Sequence, residues 1–87
     1  MSSIRLTLLS KPGCHLCDEA RVVVASVLQQ LGPEASVTLD EVSILDDPKL
    51  NERYWDEIPV LLINDVVHNI WRIDPVRLKL ALQEVST

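Results

Sequence analysis

Both cysteines of this 87-residue chain stand in one stretch, Lys11-Pro12-Gly13-Cys14-His15-Leu16-Cys17-Asp18, between an apolar strand-like run and a long amphipathic pattern. Thiols three positions apart at the first turn of a helix lie about one turn apart on the same side. Their Cα separation then allows a disulfide to close without backbone distortion. A helix start also presents unpaired N–H groups and the positive end of the macrodipole, and both favour an anion placed there. Free cysteine ionises near ~8.5, but helix N-termini, Cys-x-x-Cys pairs and neighbouring cations bring that into the range ~3.5–7.5. Lys11 and protonated His15 are such cations, although Lys11 also has a plain reading as a charged turn residue and His15 as a solvent-facing loop histidine. Cys14 is therefore assigned attack on a disulfide, and Cys17, a turn deeper, resolution of the mixed disulfide.

The elements that must hold this stretch can be read on either side of it. Arg5-Leu6-Thr7-Leu8-Leu9 alternates as a strand, which Ser10 to Gly13 ends. From Cys14 the apolar residues Leu16, Ala20, Val23, Val24, Val27, Leu28 and Leu31 recur at helical spacing until Gly32-Pro33 stops the helix. A second strand begins at Val37-Thr38-Leu39 and continues through Val42 and Ile44, with a change of parity near Asp40-Glu41 that marks a bulge or the strand's end. Strand, helix and strand in succession suggest a parallel unit. Asp46-Asp47-Pro48 opens a short helix with Leu50 and Tyr54 on its core face.

After Glu57-Ile58-Pro59, the run Val60-Leu61-Leu62-Ile63 suits a strand covered on both faces. Asn64-Asp65 turns the chain, Val66 to Trp71 returns antiparallel, and Asp74-Pro75 opens a last helix with Leu78, Ala81, Leu82 and Val85 as its apolar face. Trp55 and Trp71 read as partly buried packing residues rather than a substrate platform.

Composition narrows the partners. One compact domain over residues 1–87 is expected, burying about 60–65% of the unfolded surface. The apolar content of 47%, with no Phe, calls for a core of Val, Leu and Ile. A formal charge of −5 without a basic cluster makes nucleic acid and acidic membranes poor partners. Met1-Ser2-Ser3-Ile4-Arg5 lacks the build of a secretory signal and no apolar run is long enough to span a bilayer, so a cytoplasmic protein is expected. In a reducing compartment, a lone cysteine pair points to catalysis, redox sensing or metal binding rather than a permanent bridge.

The order strand, helix, strand, helix, strand, strand, helix, with the cysteine pair after the first strand, resembles the thioredoxin fold and more narrowly the glutaredoxin-like proteins, especially small bacterial ones. The likeness spans essentially the whole chain. Lys11-Pro12-Gly13-Cys14-x-x-Cys17 is similar to the glutaredoxin pattern, and Glu57-Ile58-Pro59-Val60 to the segment that carries the superfamily's cis-proline. The resemblance implies an α/β fold, βαβ then αββα, with a central four-stranded mixed sheet and helices on both faces. It implies a dithiol–disulfide oxidoreductase of cell redox homeostasis, with Lys11, Ile58 and Pro59 meeting the substrate. Proline rules alone leave cis and trans open at Pro59; the resemblance implies cis, with the backbone around Ile58 pairing strand-fashion with a cysteinyl substrate.

Protein or small disulfides are the expected substrates of a monomer needing no cofactor, re-reduced by glutathione or a thioredoxin-type reductase. The chain departs from the family where the glutathione site would lie. It has no aromatic residue between the cysteines, and His68-Asn69-Ile70-Trp71-Arg72-Ile73 replaces the family's Gly-Gly turn, which argues against the tripeptide. A different class of function is metal or iron–sulfur binding by the Cys-x-x-Cys pair across a dimer, since thiolates suit Cu(I), zinc and clusters. With only His15 and His68 as further soft donors, no complete metal site is assigned within one chain.

Overall fold

The computed structural model describes residues 3–33 and 35–85. Met1 and Ser2, on which part of the localisation expectation falls, lie outside them. Strand β1 (Ile4–Ser10) leads to helix α1 (His15–Leu31), then to β2 (Val37–Ser43), a 3-10 turn (Ile44–Asp46), α2 (Pro48–Tyr54), β3 (Val60–Ile63), β4 (Val66–Ile70) and α3 (Pro75–Val85). The strands form one sheet in the order β2-β1-β3-β4. β1 and β2 run parallel, whereas β3 is antiparallel to both β1 and β4.

Alternation along the two central strands divides the core in two. Ile4, Leu6 and Leu8 point to the face where Ala20, Val24 and Val27 of α1 meet Leu78 and Leu82 of α3, joined by Leu61, Ile63 and Ile73. Leu9 and Val60 point to the other face, where Cys17, Ile44 and Ile58 are buried and Leu50 and Tyr54 of α2 pack. Two parts of α1 are thereby fixed, its middle by the first cluster and its first turn by the second. The β-branched valines of α1 disfavour an isolated helix, so this packing is what holds it.

Three local expectations are corrected. Ile44 belongs to the 3-10 turn rather than to β2, and it is buried there in the second cluster. The parity change at Asp40-Glu41 is not a bulge, because β2 keeps a uniform register with β1 from Ile4↔Val37 to Ser10↔Ser43. As an edge strand with most side chains exposed, β2 is under little pressure to alternate. The irregularity falls instead between Leu61 and Leu62, where β3 meets β4. Lastly, β4 stops at Ile70, because Trp71 turns to φ 62 and leaves the sheet.

Candidate active site

Gly13 takes the chain out of β1 with φ 74, a left-handed conformation that costs glycine nothing. The next residue, Cys14, is the N-cap of α1 in an extended conformation, and its Sγ accepts the Cys17 N–H at 3.2 Å. The helix's first backbone bond follows, Asp18 N–H to Cys14 C=O at 3.1 Å. Cys14 and Cys17 are joined as a disulfide with a Cα separation of 5.2 Å. Cys14 is half-buried and Cys17 fully buried, so one sulfur lies towards the surface and the other beneath it.

Ile58 and Pro59 reach the same place from the segment leading into β3, the strand paired with β1. Ile58 is buried in one cluster with Cys17, and Cys14 packs against that cluster. The Ile58–Pro59 peptide is cis. Among the described residues, no backbone hydrogen bond outside the regular elements uses the N–H or C=O of Ile58, whereas the Pro59 C=O accepts the Trp71 N–H at 2.8 Å. Lys11 and His15 are both exposed at the cysteine loop, and neither is engaged with a sulfur by a hydrogen bond or ion pair. The structure thus brings Cys14, Cys17 and Ile58 together, with Pro59 next in the chain, and leaves Lys11 and His15 at the rim.

Two features near the cysteines were not legible as site residues. Below the loop, the buried Ser10 hydroxyl donates to Glu41 at 2.7 Å, and Arg21 Nε donates to both Glu41 carboxylate oxygens at 2.8 Å. Arg21 also pairs with Asp18. The Arg21 guanidinium, followed by the Ser10 hydroxyl, holds the Glu41 carboxyl below the usual carboxylate range against the opposing effect of burial. The Arg21–Asp18 spacing on one helix face was visible in sequence; Glu41's place opposite Leu8 needed the strand register.

The second feature is Trp71, which with Leu16, Ile70 and Arg72 lines an open groove beside the cysteine loop. Both tryptophans keep only part of their surface against the fold, Trp55 being 63% exposed and Trp71 52%, so neither belongs to a core cluster. No aromatic-rich core surrounds them, since the chain has no Phe and one Tyr, and the aliphatic clusters close without them.

No group of three Cys, His, Asp or Glu side chains suited to a metal occurs among the described residues. No helix among them is long and apolar enough to cross a membrane.

A family model described as Glutaredoxin-like domain (DUF836) matches residues 5–83. The chain belongs to this glutaredoxin-like family. A structural-genomics target protein of X. campestris is 32% identical, with 91% of this chain and 96% of that one covered and a TM-score of 0.72. A glutaredoxin-like protein of Dictyostelium discoideum is 28% identical over 95% of this chain and 79% of its own length. The oxidised thioredoxin of Plasmodium falciparum, at 9% identity, shares the fold alone, with a TM-score of 0.64 over 99% of this chain and 84% of that one. The thioredoxin-like α/β architecture, with a mixed four-stranded sheet and three helices, is thus established for this glutaredoxin-like domain.

Proposed function

We propose that this glutaredoxin-like protein is a dithiol–disulfide oxidoreductase in which Cys14 attacks and Cys17 resolves. The observation that carries the reading is the stacking of the two sulfurs at the start of α1. Cys14 is the half-buried N-cap, receiving a backbone N–H from Cys17, and Cys17 is buried directly beneath. When the bridge opens, the free amides of the first turn remain aimed at the Cys14 sulfur and favour negative charge on it. The buried Cys17 sulfur is shielded from outside disulfides but stays within reach of Cys14.

In the reaction, the Cys14 thiolate attacks one sulfur of a substrate disulfide, forming a mixed disulfide and expelling the other substrate sulfur as a thiolate. Cys17, losing its proton, attacks the Cys14 sulfur and expels the remaining substrate thiolate. Two electrons pass to the substrate, and the Cys14–Cys17 bridge is re-reduced by glutathione or a thioredoxin-type reductase. The unengaged backbone groups of Ile58 support strand-like pairing with a cysteinyl substrate, Pro59 shaping that edge. Lys11 and His15, exposed at the loop, act on charge at the rim.

The test is a pair of variants assayed for disulfide reduction, with metal content measured on the same samples. Cys14→Ser is expected to abolish turnover, and Cys17→Ser to accumulate a mixed disulfide detectable by mass. Equal residual turnover in both variants refutes the assigned roles. Stoichiometric metal held by both thiols refutes the reaction.

A further inference from the structure

Asp74 and Asn69, which join β4 to α3, are already engaged with each other and with the first turn of α3. Asp74 Oδ1 accepts the N–H groups of Val76 at 2.9 Å and Arg77 at 3.2 Å, and the Asp74 N–H donates to Asn69 Oδ1 at 3.0 Å. What remains open beside the cysteines is the groove of Leu16, Ile70, Trp71 and Arg72. It adjoins the reacting sulfurs on two sides. Leu16 lies in the loop between the cysteines, and Ile70 packs on the cluster that holds Cys17 and receives Cys14.

Trp71 is held there against its own backbone preference. Its φ of 62 is rare for a bulky side chain, and such conformations persist where surrounding contacts enforce them, often at functional sites. Two hydrogen bonds enforce this one, from the Trp71 N–H to the Pro59 C=O and from the indole Nε1–H to the Asp56 C=O at 3.0 Å. The indole is therefore tied to the loop that precedes and includes Pro59 while standing half in solvent.

We propose that this groove selects polypeptide disulfides that carry a large apolar side chain two positions from the reacting cysteine. The inference rests on the exchange reaction above. A substrate strand running along Ile58 points alternate side chains to the same side, so the residue two positions from its cysteine faces the protein when the cysteine faces Cys14. Leu16, Ile70 and the indole offer that residue an apolar seat with Arg72 at the rim. Glutathione brings two carboxylates and an ammonium but no apolar side chain, and seating it there would desolvate charge without partners beyond Arg72.

The experiment follows single turnover of the reduced protein with thionitrobenzoate mixed disulfides of short peptides, reading thionitrobenzoate release. The peptides carry Leu or Ser at one or two positions on either side of the cysteine, and the thionitrobenzoate disulfides of glutathione and mercaptoethanol complete the set. Leu at two positions, on one side, is expected to react about tenfold faster than Ser, since partial burial of one aliphatic side chain has that size of effect. Leu next to the cysteine is expected to gain nothing. The Leu-to-Ser ratio should fall towards one in Trp71→Gly and be largely kept in Trp71→Phe.

Equal rates for all peptides, a ratio undiminished in Trp71→Gly, or glutathione reacting fastest would each overturn the proposal while leaving the exchange reaction standing. Release from no probe at all, mercaptoethanol's included, would instead overturn the exchange reaction. A dimer at assay concentration that dissociates in Trp71→Gly would assign the groove to a second copy of the chain and also overturn the proposal.

Discussion

Replacing Trp71 by glycine and, separately, by alanine isolates the cost of its backbone conformation, because both changes remove the same indole. Each loses the hydrogen bond to the Asp56 C=O and the contact of a half-buried ring. These losses cancel in the difference between the two variants. What remains is the left-handed φ of 62, which costs an L-residue ~1–2 kcal/mol and glycine almost nothing. Against this stands the larger entropy that glycine loses on folding, ~0.4–1 kcal/mol.

The glycine variant should therefore be more stable than the alanine variant by ~1 kcal/mol. For a domain of this size that corresponds to a Tm about 4–8 °C higher. Thermal or urea unfolding of both variants, with the Cys14–Cys17 bridge closed, measures it. An alanine variant as stable as the glycine variant would show that position 71 is not left-handed. The account of how the indole is presented beside the cysteines would then fail with it.

Glu41→Gln tests the cluster beneath the cysteine loop. Because the Glu41 carboxyl is held below its usual range in the folded state, it stabilises the fold above its unfolded value of ~4.3 and loses that contribution as the pH falls through the folded value. Wild type should exceed the variant by less than ~1 kcal/mol at neutral pH, since the pair is partly solvated, and the gap should close in acid and shrink in high salt. A gap that widens in acid would contradict the assignment.

His68 titrates below its usual value, chiefly through burial and then through the charge of Arg77, with Asp74 opposing. Its neutral form suits the fold, so stability should fall as the pH drops below ~6.5 and through the lowered value, and His68→Leu should flatten urea midpoints over that interval. Leu82→Ala, at a buried position where α3 meets α1 and the sheet, should cost ~2–5 kcal/mol in urea unfolding. A loss under ~1 kcal/mol would mean that α3 is not needed to close that core.

Much of the fold was written in local pattern. The alternation of Leu6 and Leu8, the helical spacing from Ala20 to Leu31, the Asp-Pro helix starts at 47–48 and 74–75 and the Asn64-Asp65 turn each specify an element through contacts a few residues long. Errors arose where a strand sits at an edge. The exposure of β2 removed the alternation that would have shown its end at Ser43.

The cysteine pair and its helix start could be read directly, because N-cap geometry and Cys-x-x-Cys spacing depend only on near neighbours. The exposed position of Trp71 and the partnership of Ser10, Arg21 and Glu41 could not. The tryptophan is turned outward by hydrogen bonds to residues 12 and 15 positions earlier, and the carboxylate is delivered by pairing between strands more than 30 positions apart. Short-range chemistry was therefore set by the order of residues alone. What surrounds the sulfurs was decided only when the sheet brought distant segments side by side, since a side chain's burial and partners belong to the assembled fold.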